Sequence, residues 1–149
     1  MILSKQLGVY LNQTHCLYKQ CFFNKLIENG IDLTPEQFLV IDILWDDGSM
    51  SQQEIANLME KDKNSITKLV DGLEKKEYVV RQADPDDRRK NNVVVTSKGI
   101  RLKRSITRVA VDAAAGIMDG IPQEELEQFV QVLHKLSDNM KRMMTSNSK

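Results

Sequence analysis

The sequence predicts a mainly α-helical fold carrying one small β-hairpin. Three observations predict it. Two helix-start signatures, Thr34-Pro35-Glu36-Gln37 and Ser51-Gln52-Gln53-Glu54, open amphipathic segments in the centre of the chain. Two valine-rich runs flank a turn built on Asp84-Pro85-Asp86. Long segments with helical apolar spacing stand at both ends.

The elements follow in order. The first long helix is expected from about residue 4 to 29, with Leu7, Leu11, Tyr18, Phe22 and Leu26 facing inward. At Thr34 a capping residue precedes Pro35, which suits the first helical position, and Gln37 completes the box. Phe38, Ile41, Leu44 and Trp45 continue at helical spacing until Asp46-Asp47-Gly48. The next helix is short, with Ile55, Ala56, Leu58 and Met59 on its apolar side. A third helix begins near Asp62, whose carboxylate suits the positive end of the helix dipole. Its apolar positions are Ile66, Leu69, Val70 and Leu73; the opposite face carries Lys63, Asn64, Ser65, Thr67 and Lys68. Tyr78–Arg81 and Val93–Thr96 then read as strands joined by a tip running from Ala83 to Asn92. Ser97 to Asp119 reads as one long helix, and Pro122 starts another with Leu126, Phe129, Val130, Leu133, Leu136, Met140 and Met143. Such long amphipathic ends are hard to bury in one small chain, so they point to a helical dimer interface.

Charge is arranged in blocks behind a formal net charge of zero. Leu26 to Glu60 holds eight acidic residues and no basic one, whereas Arg88 to Arg108 holds eight basic residues and no acidic one. Blocks of this kind either screen one another on a solvated surface or form one basic face for a polyanion.

Three short helices and a hairpin, in that order, make a winged helix-turn-helix. In that arrangement the polar start of the third helix is free to enter a DNA major groove. Lys63, Asn64, Ser65, Thr67 and Lys68 are residue types that read base edges or phosphates. Arg88 and Arg89 at the hairpin tip suit a narrow minor groove, where negative potential concentrates.

The stretch Asp84-Pro85-Asp86-Asp87-Arg88-Arg89, followed by the second strand and Thr96-Ser97-Lys98-Gly99, resembles the wing signature of the MarR family of bacterial transcription regulators. Lys63 to Lys76 resembles the recognition helix of the same family. The resemblance runs from Thr34 to Gly99, and the flanking helices match it in length and placement. It implies a DNA-binding region at 34–97 and a helical dimerisation region formed by 1–33 and 98–149. It further implies a homodimer on a pseudo-palindromic double-stranded DNA operator, acting as a repressor. The wing residues would be Asp87, Arg88, Arg89 and Lys90, with Asp87 orienting Arg89 through an ion pair. A small aromatic or anionic effector is also implied, in a cleft that Tyr10, His15, Tyr18, Phe38 and Trp45 would line. Three departures stand out, one being the acids Asp71 and Glu74 on the recognition helix, which are expected to face away from phosphate. Val95 replaces the usual Leu, and Glu77 replaces the Gly that ends the recognition helix. A left-handed cap at Glu77 would cost about 1 kcal/mol, so a different helix end is expected there.

Other classes fare worse. No phosphate-binding loop, G-x-S-x-G or H-E-x-x-H pattern occurs, and His15 and His134 are the only histidines, so catalysis is not expected. Cys16 and Cys21 point about 140° apart on a helix, which makes a poor metal site with His15; no metal or cofactor is expected, and buried helix cysteines explain them better. Two alternatives stand beside the DNA reading. One is a regulator that senses oxidants through a thiol. The other is a winged-helix adaptor using the acidic block to bind protein. No apolar run approaches the ~20 residues of a membrane span, and the start of the chain lacks the plan of a signal peptide, so a cytoplasmic protein is expected.

Overall fold

Both capping boxes form, and they fix where the central helices start. The structure, a computed structural model, describes residues 3–146. Helix α1 spans Leu3–Glu28 and α2 spans Pro35–Asp47. The Thr34 Oγ1 accepts the backbone N–H of Gln37, and the Gln37 side chain accepts the backbone N–H of Thr34. A two-residue strand β1, Met50–Ser51, leads into α3, Gln52–Met59. Ser51 and Glu54 make the same reciprocal pair of bonds at its start. Helix α4 spans Lys63–Lys75; β2 (Val79–Ala83) and β3 (Asn91–Val95) follow, then α5 (Ser97–Ile117) and α6 (Gln123–Ser146).

The expected hairpin is part of a three-stranded antiparallel sheet in the order β1-β3-β2. Val79 to Ala83 pair with Val95 to Asn91, so Asn91 and Asn92, expected in the tip, belong to the ladder. Met50 and Ser51 pair with Val93 and Asn92 on the other edge of β3. This third strand roots the wing at the start of α3, because Ser51 is at once a strand residue and a helix cap.

The chain divides into two compact units at Ala113/Ala114, within α5. The first holds the core. Leu26 of α1, Val40 and Ile41 of α2, Ile55 of α3, Ile66, Val70 and Leu73 of α4, Val79 and Val93 of the sheet are all fully buried. Leu102, Ile106 and Val109 of α5 join the same cluster. Burying each such side chain contributes about 1.5–3 kcal/mol, which is why the short helices hold despite their length. Leu58 and Tyr18, both expected inward, face solvent in the single chain. Leu58 is 58% exposed, because one residue of helix rotates it about 100° away from Met59, which packs on the core. Tyr18 is exposed, and the contact of α1 with the core is concentrated at Phe22 and Leu26.

The recognition-helix candidate ends as a glycine would end it, contrary to expectation. Glu77 adopts the left-handed conformation at φ 65°. Its N–H bonds the Glu74 carbonyl, and the Tyr78 N–H bonds the Leu73 carbonyl. The cost of about 1 kcal/mol is met in place, with the Glu77 carbonyl accepting the Thr96 hydroxyl.

In the second unit α6 has no buried residue. Leu126, Phe129, Leu133, Leu136, Met140 and Met143 alternate at spacings of three and four along it, the pattern of a helix-packing seam.

Candidate nucleic-acid interface

The start of α4 is held by Asp62. Its Oδ1 accepts the Ser65 N–H at 2.9 Å and its Oδ2 accepts the Ser65 hydroxyl at 2.7 Å. The Ser65 hydroxyl, with the Ser65 N–H behind it, holds the Asp62 carboxyl below the usual carboxylate range. Ser65 is therefore committed to the cap. Thr67 is committed as well: its hydroxyl donates to the Lys63 carbonyl and accepts from Gln52 Nε2, both at 2.9 Å. Of the five polar residues read from the sequence, Lys63, Asn64 and Lys68 are exposed, and Ser65 and Thr67 are half-buried.

The wing tip is shaped by carboxylates rather than by apolar packing. Asp84 Oδ1 accepts the N–H groups of Asp86 and Asp87, and its Oδ2 accepts the Asn92 side chain. These bonds, the Asp86 N–H first, hold the Asp84 carboxyl low. Asp87 Oδ1 accepts the backbone N–H of Arg89 at 3.0 Å. The expected Asp87–Arg89 ion pair is thus replaced by a backbone bond, which sets the turn and leaves the guanidinium projecting. Arg88, Arg89 and Lys90 are exposed. A groove of about 180 Å³ joins the two elements, lined by Lys63 of α4, Arg89, Lys90 and Asn91 of the wing, and Ser51, Gln52 and Gln53. The sequence reading missed Gln52, Gln53 and Asn91. The only signal for the glutamines was their place just inside a capping box.

Arg81 on β2 was also missed. Its Nη2 meets Asp71 Oδ1 at 2.6 Å, its Nη1 meets Glu74 Oε1 at 3.1 Å, and its Nε donates to Gln52 Oε1 at 2.7 Å. Its backbone N–H donates to the other Glu74 oxygen at 3.0 Å.

The five effector candidates are divided. Tyr10, His15 and Tyr18 are exposed on α1. Phe38 is half-buried, edge-on to Phe22, Phe23 and Trp45 at ring separations of 5.8, 6.1 and 6.4 Å. Trp45 donates its indole N–H to the Gly99 carbonyl at 3.1 Å. Cys16 and Cys21, expected to be buried, are both exposed, because the stretch of α1 before Phe22 carries little core contact. Cys16 borders an open groove with Lys19, Gln20, Phe23, Asn24 and Pro35. Among the described residues no helix is long and apolar enough to cross a membrane.

A helix-turn-helix backed by a basic three-stranded wing defines a winged-helix DNA-binding protein. Comparison with known proteins narrows the class. The MarR family model matches residues 33–90. The HTH-type transcriptional regulator MhqR of Bacillus subtilis is 32% identical over 110 residues, covering 74% of this chain and 76% of that one. A MarR family protein from Bacillus stearothermophilus shares the fold with a TM-score of 0.78 at 24% identity, over 93% of this chain and 95% of that one. A probable transcriptional regulator from Pseudomonas aeruginosa superposes with a TM-score of 0.72 at 28% identity, over 90% and 98% of the two chains. The chain belongs to the MarR family, and it is a DNA-binding transcription regulator rather than an enzyme.

Proposed function

We propose that the chain acts in the cytoplasm as a homodimeric repressor on a pseudo-palindromic operator, with residues 34–97 as its DNA-binding region. The observation that carries this reading is the groove into which α4 and the wing both send cations, Lys63 from one and Arg89 and Lys90 from the other. Asn64 and Lys68 read bases in the major groove, Lys63 holds phosphate, and Arg88, Arg89 and Lys90 follow the backbone into the minor groove. Ser65 and Thr67 contribute through the helix they brace rather than through their committed hydroxyls. Residues 1–33 and 98–149 form the dimer interface; the exposed Phe129, Met140 and Met143 of α6 and the exposed Leu3, Val9 and Leu17 of α1 support that assignment. Two symmetric copies then read half-sites about one helical turn apart.

A small aromatic or anionic effector releases the DNA by favouring a state with its recognition helices wrongly spaced, and it does so only by its differential affinity for that state. The residues assigned to it are the exposed Tyr10, His15 and Tyr18 of α1 and the half-buried Phe38 and Trp45 of α2. The test of the main reading uses the duplex that the wild-type protein selects from a random pool. Arg89→Ala is expected to weaken binding to it by about tenfold or more. Asn64→Ala and Lys68→Ala are expected to change which base is preferred in each half-site. A uniform loss over all sequences would make them phosphate contacts, and an absence of salt-sensitive duplex binding by the wild type would remove the reading.

The exposure of both thiols favours thiol sensing as a second mode of release. Peroxide is then expected to raise the intact mass and lower duplex binding together. Unchanged mass and binding would dismiss it.

A further inference from the structure

We infer that Arg81 is a positioning residue that makes the wing and the recognition helix bind DNA as one unit. It rests on the reading that α4 and the wing both touch the duplex. Two facts about α4 need explaining. It carries Asp71 and Glu74, whose charges oppose phosphate, and it presents its polar start alongside a wing whose tip is anchored only by local turn bonds. One guanidinium addresses both. From β2 it spans the two carboxylates, at 2.6 and 3.1 Å, so one of their two negative charges is offset by a cation that contributes no free charge. A third arm, Nε, holds Gln52, and Gln52 in turn donates to the Thr67 hydroxyl. Wing strand, α3 and α4 are thereby joined through one half-buried side chain. Gln52 also lines the groove shared by Lys63, Arg89 and Lys90, so the bridge sets the spacing of the cations on either side.

The planar fork matters. An ammonium at the same place is a point charge and cannot hold Asp71, Glu74 and Gln52 together in fixed directions. Among the bonds described, no other wing side chain holds two side chains of α4 together with one of α3.

The test is a double-mutant cycle on duplex binding, using the full-length protein and the duplex that wild type selects from a random pool. Arg89→Ala and Lys68→Ala are each made in the wild-type and Arg81→Lys backgrounds. If Arg81 couples the wing to the helix, Arg81→Lys weakens binding, and Arg89→Ala then costs less than it does in the wild type. Coupled groups of this kind are expected to differ from additivity by roughly threefold to a hundredfold. A residue that only supports stability would lower the melting temperature and leave the two effects multiplicative; that outcome overturns the inference. If Arg89→Ala and Lys68→Ala are silent in the wild type, the placement of the DNA site fails instead. Should Arg81→Lys fold poorly, Gln52→Leu, which removes one arm and keeps the ion pairs, is expected to show the same departure from additivity at smaller amplitude; strict additivity there too overturns the inference.

Discussion

Raising salt from about 50 to about 200 mM is expected to weaken operator binding by roughly a thousandfold. The expectation follows from counting cations that are free to meet phosphate. Lys63 and Lys68 on α4 and Arg88, Arg89 and Lys90 on the wing are exposed in each copy. A dimer doubles them. Lys68 goes to bases, so roughly six to eight phosphates are neutralised, and each released counterion steepens the dependence of affinity on salt by about 0.9 in the log-log slope. Arg81 does not enter the count, because Asp71 and Glu74 already hold it. The neutral total charge of the chain places the effect at the lower end of the range and keeps nonspecific affinity modest. Equilibrium titration of the selected duplex at several salt concentrations measures the slope. Lys63→Ala, present in both copies of the dimer, is expected to reduce it by about two units while leaving base preference intact. A flat salt dependence for the wild type would mean that the basic block is a solvated surface and that these cations do not meet phosphate.

Local chemistry was legible in the sequence, and long-range pairing was not. Thr34-x-x-Gln37 and Ser51-x-x-Glu54 announced their helices because a capping box is a contract among four neighbouring residues, and both halves of each are made. The buried face of α4 followed from spacing, since Ile66, Val70 and Leu73 can share one side of only one kind of helix. The turn at Asp84 was visible for the same reason. Strand β1 was not, because two residues have no periodicity and Met50 is a strand residue only by virtue of β3, more than forty positions away. The role of Arg81 escaped for a related cause: its side-chain partners lie on two other elements, and its own neighbourhood reads simply as strand. Leu58, Cys16 and Cys21 were assigned inward on hydrophobicity, which says what a residue tolerates and not which way a short or weakly anchored helix turns it. Glu77 shows the converse. Propensity argued against a left-handed residue there, yet the bonds of Thr96 and the return of Tyr78 toward Leu73 demand that geometry whatever side chain occupies it.

Gly99→Ala is expected to cost about 3 kcal/mol of folding stability, the largest effect of any glycine in the chain. A Cβ at Gly99 would stand 2.6 Å from Val95 Cγ1 and closer still to the backbone carbonyl oxygen of Tyr78. A side-chain methyl can rotate away, but that carbonyl cannot, since it already accepts the Thr96 N–H at 3.0 Å. Gly99 itself is fixed from both sides. Its N–H donates to the Thr96 hydroxyl at 3.1 Å, and its carbonyl accepts the Trp45 indole. Relief therefore requires α5 to lift from the root of the wing, opening the hydrogen bonds of Thr96 and Trp45 together. This is why the glycine in Thr96-x-x-Gly99 is needed for close backbone approach rather than for an unusual φ. Gly8 supplies the control: it lies inside a helix, and an added Cβ there meets nothing within 4 Å, so Gly8→Ala is expected to stabilise by about 0.5–1 kcal/mol. Thermal and urea unfolding of the two variants at matched protein concentration separates the causes, since helix propensity favours alanine at both positions. Equal gains at both would mean that α5 does not press on the wing root. A large loss at Gly99 with a gain at Gly8 would locate the tightest packing of the fold where the wing joins the helix behind it, so the wing that presents Arg89 is held at its base by contact with α5.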